Sequence, residues 1–133
     1  VLMFLHPLSL STTTITHTQP GTCKKYPVVA KASSYCYLSN PSDVQLQRMV
    51  LRHGPAAVAI DVSAPNFIFL RNSPWGKPCN KNVNHAVLLV GWDEKYWIIK
   101  NSWSDQWGIK GYLYLPKGDN WCGVNDQLGV PLI

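Results

Sequence analysis

The chain of 133 residues is the length of a single domain. Only 14% of its residues are charged against 46% hydrophobic, which excludes a disordered, charge-rich chain and implies a globular, aromatic-rich one. The net charge of +5 comes from dispersed lysines and arginines, with Lys24-Lys25 the one basic pair, so it reads as solubility charge and not as a nucleic-acid surface; no run reaches the ~20 apolar residues of a membrane helix.

Taken in chain order, Val1–Leu10 has the look of a short apolar signal core, without an initiating Met, a basic leader or a small-residue cleavage site. The Thr-rich Ser11–Thr18 stretch behind it has neither helical nor strand periodicity. Residues 1–20 are therefore read as a ragged, non-native start and 21–133 as the folded unit. The cysteines Cys23, Cys36, Cys79 and Cys122 include no C-x-x-C pair and no His at ligand spacing. That pattern predicts disulfides in an oxidising compartment and no metal.

Asn40-Pro41-Ser42-Asp43 followed by Val44–Arg52 predicts a helix. Ser42 with Gln45 makes a capping box, with Asn40 as the cap and Pro41 in the first turn as the rival start. Leu46, Met49 and Val50 fall on one apolar stripe. Gly54-Pro55 ends it, and His53 in the last turn suits the helix dipole. Ala56–Asp61 is a nearly unbroken apolar run and predicts a buried strand. Residues 62–84, rich in Asn, Pro, Gly and Ser, read as a long surface connection. Ala86–Trp92 and Tyr96–Lys100 form a β-hairpin around Asp93-Glu94-Lys95, and Gly111–Leu115 adds a third strand after a Trp/Gly-rich turn. The whole is α+β, an antiparallel, barrel-like sheet with one capping helix.

The hairpin concentrates chemistry at one end. With Asp93–Lys95 as the loop, Trp92 faces Tyr96 and Val87 falls opposite Asn101. His85 then lies on the same face as Val87, one diagonal step from Asn101. An imidazole beside a carboxamide is a base beside the group that fixes its tautomer. On spacing alone, a structural His–Asn contact capping the hairpin is the plainer reading.

The neighbouring residues change that reading. Cys79-Asn80-Lys81-Asn82-Val83-Asn84-His85-Ala86-Val87 and Lys100-Asn101-Ser102-Trp103-Ser104-Asp105-Gln106-Trp107-Gly108 resemble the histidine and asparagine blocks of the papain family. Gly111-Tyr112, Trp121-Cys122-Gly123 and Gly54-Pro55-Ala56-Ala57-Val58-Ala59-Ile60 extend the likeness, in the family's order, from about Gly21 to the C-terminus. The resemblance implies the right-hand, β-barrel-like lobe of a two-lobed, cathepsin-like cysteine endopeptidase that cleaves peptide bonds through a thiolate–imidazolium pair. His85 matches the general base and acid, and Asn101 the residue that orients it. Trp103 matches the indole over their hydrogen bond, and Trp107 the aromatic near the primed-side floor. Ala59, Val83, Ala86 and Gln127 match the wall of the pocket for the second residue before the scissile bond. There Gln127 is the uncertain match, since a shift of one residue would put Asp126 in its place.

The resemblance also implies a Cys79–Cys122 disulfide and, for Cys23, a partner in the other lobe. Cys36, within Ser-Ser-Tyr-Cys, resembles a cysteine that mite-type members pair near the mature N-terminus; Cys23 and Cys36 are otherwise orphaned or paired together. The family's nucleophilic Cys and oxyanion-hole Gln have no counterpart here. Ser104 stands where the family usually has Gly, and Asn84 where Asp is frequent beside the histidine. The expected partners are peptide or protein substrates, the missing N-terminal Cys-bearing lobe, a propeptide and a cystatin-like inhibitor, with no cofactor, nucleic acid or membrane. The alternatives are a catalytically inactive homologue acting as a binding or regulatory module, and a Trp-rich β domain without a site.

Overall fold

A computed structural model describes residues 27–28 and 30–133 of the chain. Helix α1 spans Asp43–His53, and its start is the Ser42/Gln45 box: the Gln45 N–H reaches the Ser42 side chain, and the Gln45 amide oxygen accepts the Ser42 N–H at 2.8 Å. Two donors that would otherwise be orphaned at the helix start are thereby satisfied. Leu46 and Val50 are buried and Met49 packs beside them, so the predicted stripe faces the core. Asp43 has a second use: its carboxylate accepts Gly118 N–H at 3.0 Å and the Asn125 side chain at 2.8 Å, which ties the helix start to a distant loop.

The remaining elements are β1 (Ser34–Ser39), β2 (Ala56–Ile60), β3 (His85–Trp92), β4 (Tyr96–Lys100), β5 (Tyr112–Pro116) and β6 (Gln127–Leu132). They form one six-stranded sheet in the order β1-β6-β2-β3-β4-β5, with every neighbouring pair antiparallel. No ladder joins β5 to β1 among the described residues, so α1 and the loops, not a closed ring of hydrogen bonds, complete the enclosure of the core. Alternation assigns the faces: Val58, Ile60, Val87, Leu89, Trp97, Ile99, Leu113 and Leu115 are buried, while Ala57, Ala86 and Leu88 are exposed.

Two expectations need correcting, and two strands form where the sequence suggested no element. The 62–84 connection is not merely superficial, because a 3₁₀ turn at Phe67–Phe69 drives Phe67 fully into the core, and Leu70 and Trp75 follow it. Three aromatic or aliphatic anchors outweigh the polar composition between them. At the hairpin turn, Trp92 faces Trp97 and not Tyr96. A bulge between Leu89 and Gly91 then restores the alignment, so Leu88 faces Lys100. Finally, β1 and β6 pair along their whole length although neither carries a clear strand signal.

Candidate active site

His85 opens β3, where the ladder with β2 ends at the His85–Ile60 pair. Its side chain therefore belongs to the inner face but stands at the rim, half-buried. Continuing the Leu88–Lys100 register by one step brings Asn101, just past β4, beside it, and His85 Nε2 lies 2.9 Å from Asn101 Oδ1. Asn101 is 9% exposed, and its Oδ1 also accepts the Ser102 N–H at 2.8 Å. A backbone N–H can only donate, so the amide oxygen is the atom fixed at this point. A ring nitrogen facing that oxygen must then carry its proton. Nε2–H is thus the donor, and Nδ1 is left as the basic nitrogen, with no hydrogen-bond partner among the described residues.

Trp103 lies against this pair, its ring centroid 4.9 Å from that of His85 and tilted by 34°. Behind it stand Trp107 at 5.3 Å and Phe67 at 6.0 Å, both near edge-on, and Trp107 Nε1–H donates to Phe67 O at 3.2 Å. The indole packs against the imidazole of this hydrogen-bonded pair. Trp107 packs on Trp103 and Phe67. An open cleft lined by Ile68, Arg71, Trp103, Ser104 and Gln106 continues from the indole. Gly108 closes this turn with φ of 59°, and a side chain there would collide with the Tyr112 carbonyl oxygen. Ser104 adopts φ of 71°, a left-handed conformation that glycine takes without strain.

The segment leading into His85 is laced to the end of β2. Asn84 N–H donates to Ile60 O, the Asn84 side-chain oxygen accepts Val62 N–H, and Asn82 N–H donates to Asp61 Oδ2, each at 3.0 Å. Asp61 is fully buried. Burial alone would raise its pKa, but the Ser63 hydroxyl and the Ser63 and Asn82 N–H groups outweigh that, holding the carboxyl below its ordinary value. The Cys79–Cys122 disulfide fastens the same segment from the other side, and a side chain at Gly123, where φ is 75°, would collide with Val83. Sequence reading had placed Asp61 in the strand and missed its role. Its one signal was a carboxylate ending an apolar run.

Ala59 pairs with Ala86, and the β2–β6 register carried one step beyond Val58–Leu128 sets Gln127 beside Ala59. Three of the expected pocket residues thus form one row across β6, β2 and β3, on the face opposite His85; Val83 lies outside the row, against Gly123. Asp126 is engaged elsewhere, accepting from the Asn120 side chain at 2.6 Å. Cys36 is a half-buried free thiol among the described residues, on β1. With β6 and β2 between β1 and β3, it stands roughly 14 Å from the His85 strand at ~4.8 Å per strand. Cys23 and residues 1–20 lie outside the described residues, as do any pairings of Cys23. No group of three or more His, Cys, Asp or Glu side chains is arranged to hold a metal ion among the described residues, and no described helix is long and apolar enough to cross a membrane.

The chain is similar to mouse cathepsin K, with 40% identity over 109 residues, or 77% of this chain and 33% of that protein. Among solved structures, the digestive procathepsin L2 proteinase of Tenebrio molitor larval midgut superposes with a TM-score of 0.74 at 38% identity, covering 85% of this chain and 38% of that one. A structure from work on the mite allergens Blo t 1 and Der p 1 gives 0.71 at 34% identity, over 77% of this chain and 35% of that one. The chain thus spans about a third of the length of the curated relatives it matches. The profile of the papain family cysteine proteases matches residues 10–132, and the chain belongs to that family.

Proposed function

We propose that residues 21–133 are the His/Asn subdomain of a cysteine-type endopeptidase, and that His85 and Asn101 are its general base and orienting amide. The observation that carries this reading is the 2.9 Å His85 Nε2–Asn101 Oδ1 contact: an oxygen that already accepts the Ser102 N–H accepts a second hydrogen bond from Nε2–H, which leaves Nδ1 as the open nitrogen at the sheet rim. In a cleft, that nitrogen accepts the proton of a cysteine thiol, and the thiolate so formed attacks the peptide carbonyl. The imidazolium returns the proton to the leaving amine. Cys79 and Cys122 are joined, and Cys36 is strands away, so none of these is the nucleophile. The thiol and an oxyanion-hole donor come from a Cys-bearing lobe, which seats against this one and completes the cleft.

Peptides and proteins are the substrates under this reading, with a propeptide or a cystatin-like inhibitor as occluding partners. The disulfide suits a lysosomal or secreted location. The row of Ala59 and Ala86, apolar and small, favours Leu, Val or Phe two residues before the scissile bond, and burial of such a side chain contributes ~1.5–3 kcal/mol. Gln127 offers no charge to pair with an Arg there. Substrate profiling would reverse this if Arg were preferred.

The decisive experiment joins this chain to the Cys-bearing lobe of a cathepsin L-like relative. The 133-residue chain alone is expected to turn over no peptidyl substrate and to take no label from a thiol-directed epoxide at a catalytic cysteine. The joined enzyme is expected to do both, with His85→Ala abolishing turnover and Asn101→Ala leaving a measurable rate, since removing a general base costs about 10²–10⁴-fold. Turnover by the isolated chain, or an unchanged rate in His85→Ala, would overturn the reading. A folded, joined protein that binds peptides without cleaving them would favour the inactive binding module.

A further inference from the structure

We infer that Asp61 is a positioning residue for His85: its carboxylate clamps the 82–84 segment to the end of β2 and so sets where the imidazole stands relative to Asn101. The fixed donors around it dictate the side chain. Ser63 N–H reaches Oδ1 at 2.8 Å and Asn82 N–H reaches Oδ2 at 3.0 Å, while the Ser63 hydroxyl also donates to Oδ1. Two backbone N–H groups on two different oxygens require two acceptors. A carboxylate supplies both; an asparagine supplies one and turns an NH₂ group toward the other N–H, whichever way it is flipped. In a fully buried place, a donor facing a donor leaves an unpaired polar group, and the segment must move to relieve it.

That segment leads directly into His85 at the start of β3. Asp61 N–H donates to Cys122 O at 2.7 Å, so the clamp is itself anchored beside the disulfide. Two residues separate Asn82 from His85, and the Asn84 bonds to Ile60 and Val62 transmit the placement along the way. The Ser63 side chain is dispensable to the clamp: its hydroxyl adds a second bond to an oxygen that already has the Ser63 N–H as its backbone partner. Asp61 therefore acts on the His85–Asn101 bond without touching it. The consequence for catalysis rests on the proposed function, but the geometry does not.

The test uses the full 133-residue chain labelled with ¹⁵N, read by NMR. In the unaltered chain, the Asn82 amide is expected to exchange with solvent at least 100-fold more slowly than an open loop amide, although Asn82 itself is exposed. In Asp61→Asn, with the core resonances of Trp97 and Leu113 unmoved, that protection should vanish, and the ratio of Nε2–H to Nδ1–H tautomers of neutral His85 should fall at least threefold. Ser63→Ala should keep both within twofold of the unaltered chain. An unprotected Asn82 amide in the unaltered chain overturns the inference even if Asp61→Asn does not fold. A folded Asp61→Asn whose His85 tautomer ratio is unchanged overturns it as well. Because neither readout needs turnover, a catalytically silent His85 would defeat the proposed function and leave this result standing.

Discussion

Leu88 faces Lys100 across a short hairpin, whereas Ser34 faces Leu132 across nearly the whole described chain. The two regions of the sheet are secured differently. Around His85 the hairpin is supplemented by a disulfide, a carboxylate clamp, an Asn84 clasp and a Trp/Gly turn whose Gly108 is tied to Leu70 and Asn72 through backbone hydrogen bonds. The β1–β6 pair has its ladder, β2 beside β6, and Leu128 and Val130 in the core, but no covalent tie: Tyr35 and Tyr37 are 77% and 54% exposed, and Cys36 forms no disulfide among the described residues. Closing a long loop costs entropy before its contacts compensate. The region around the His85–Asn101 contact is thus closed over 16 to 43 residues by several independent ties, whereas the β1–β6 pairing, closed over nearly the whole described chain, relies on its ladder and the apolar residues beneath it.

The strongest challenge to this contrast removes the covalent tie. For a cross-link between residues 43 apart, the chain-entropy relation gives about 4 kcal/mol. The Cys79→Ala/Cys122→Ala double variant is expected to lose that much in denaturant unfolding, while Cys36→Ala on β1 should cost no more than ~1 kcal/mol. Comparable losses at the two places would mean that the site region has no special reinforcement.

Gly108→Ala comes next. A Cβ there meets the Tyr112 carbonyl, and φ of 59° adds left-handed strain of ~1–2 kcal/mol, so a total near 3 kcal/mol is expected with overpacking included. Gly129 on β6 has open space where its Cβ would go and no such conformation, so Gly129→Ala should be close to neutral. Thermal unfolding of the two variants compares the regions at single-atom scale. A loss at Gly129 as large as that at Gly108 would contradict it.

The same contrast explains what the sequence disclosed. Capping at Ser42 and Gln45, the Leu46/Val50 stripe and the hairpin's polar loop are local signals, and each has its counterpart in the structure. The meeting of His85 and Asn101 was legible because a hairpin converts sequence spacing into geometry. Even so, the pairing at the turn was wrong by one residue, and it came right at the site only because the bulge between Leu89 and Gly91 compensates. Nothing in the residue types of Leu89-Val90-Gly91 announces a bulge beyond the glycine itself. β6, with Gly129 and Pro131 inside it, reads poorly as a strand, and it forms because β1 and β2 flank it with partners from far along the chain. Asp61 stayed hidden for a related reason: beside the Ser63 hydroxyl, its donors at Ser63 and Asn82 are backbone N–H groups, which no side-chain pattern records.

The smallest expected effect is at Ser104, and it has the opposite sign. Its φ of 71° costs a residue with a Cβ ~1–2 kcal/mol relative to glycine, while glycine gives back ~0.5–1 kcal/mol through the larger freedom of its unfolded chain. The side chain contributes one weak bond, accepting Gln106 N–H at 3.3 Å on an exposed turn. Ser104→Gly should therefore stabilise the chain by about 0.5 kcal/mol, a rise of roughly 2 °C in the unfolding midpoint at this size. Ser104→Ala keeps the strain and loses the bond, so it should fall slightly below the unaltered chain. The ordering Gly above Ser above Ala is the measurement to make by calorimetry. If Gly ranked lowest, the Ser104 hydroxyl would have to stabilise this turn by more than its left-handed backbone costs, and the site region would owe its order to side-chain capping there and not to backbone conformation.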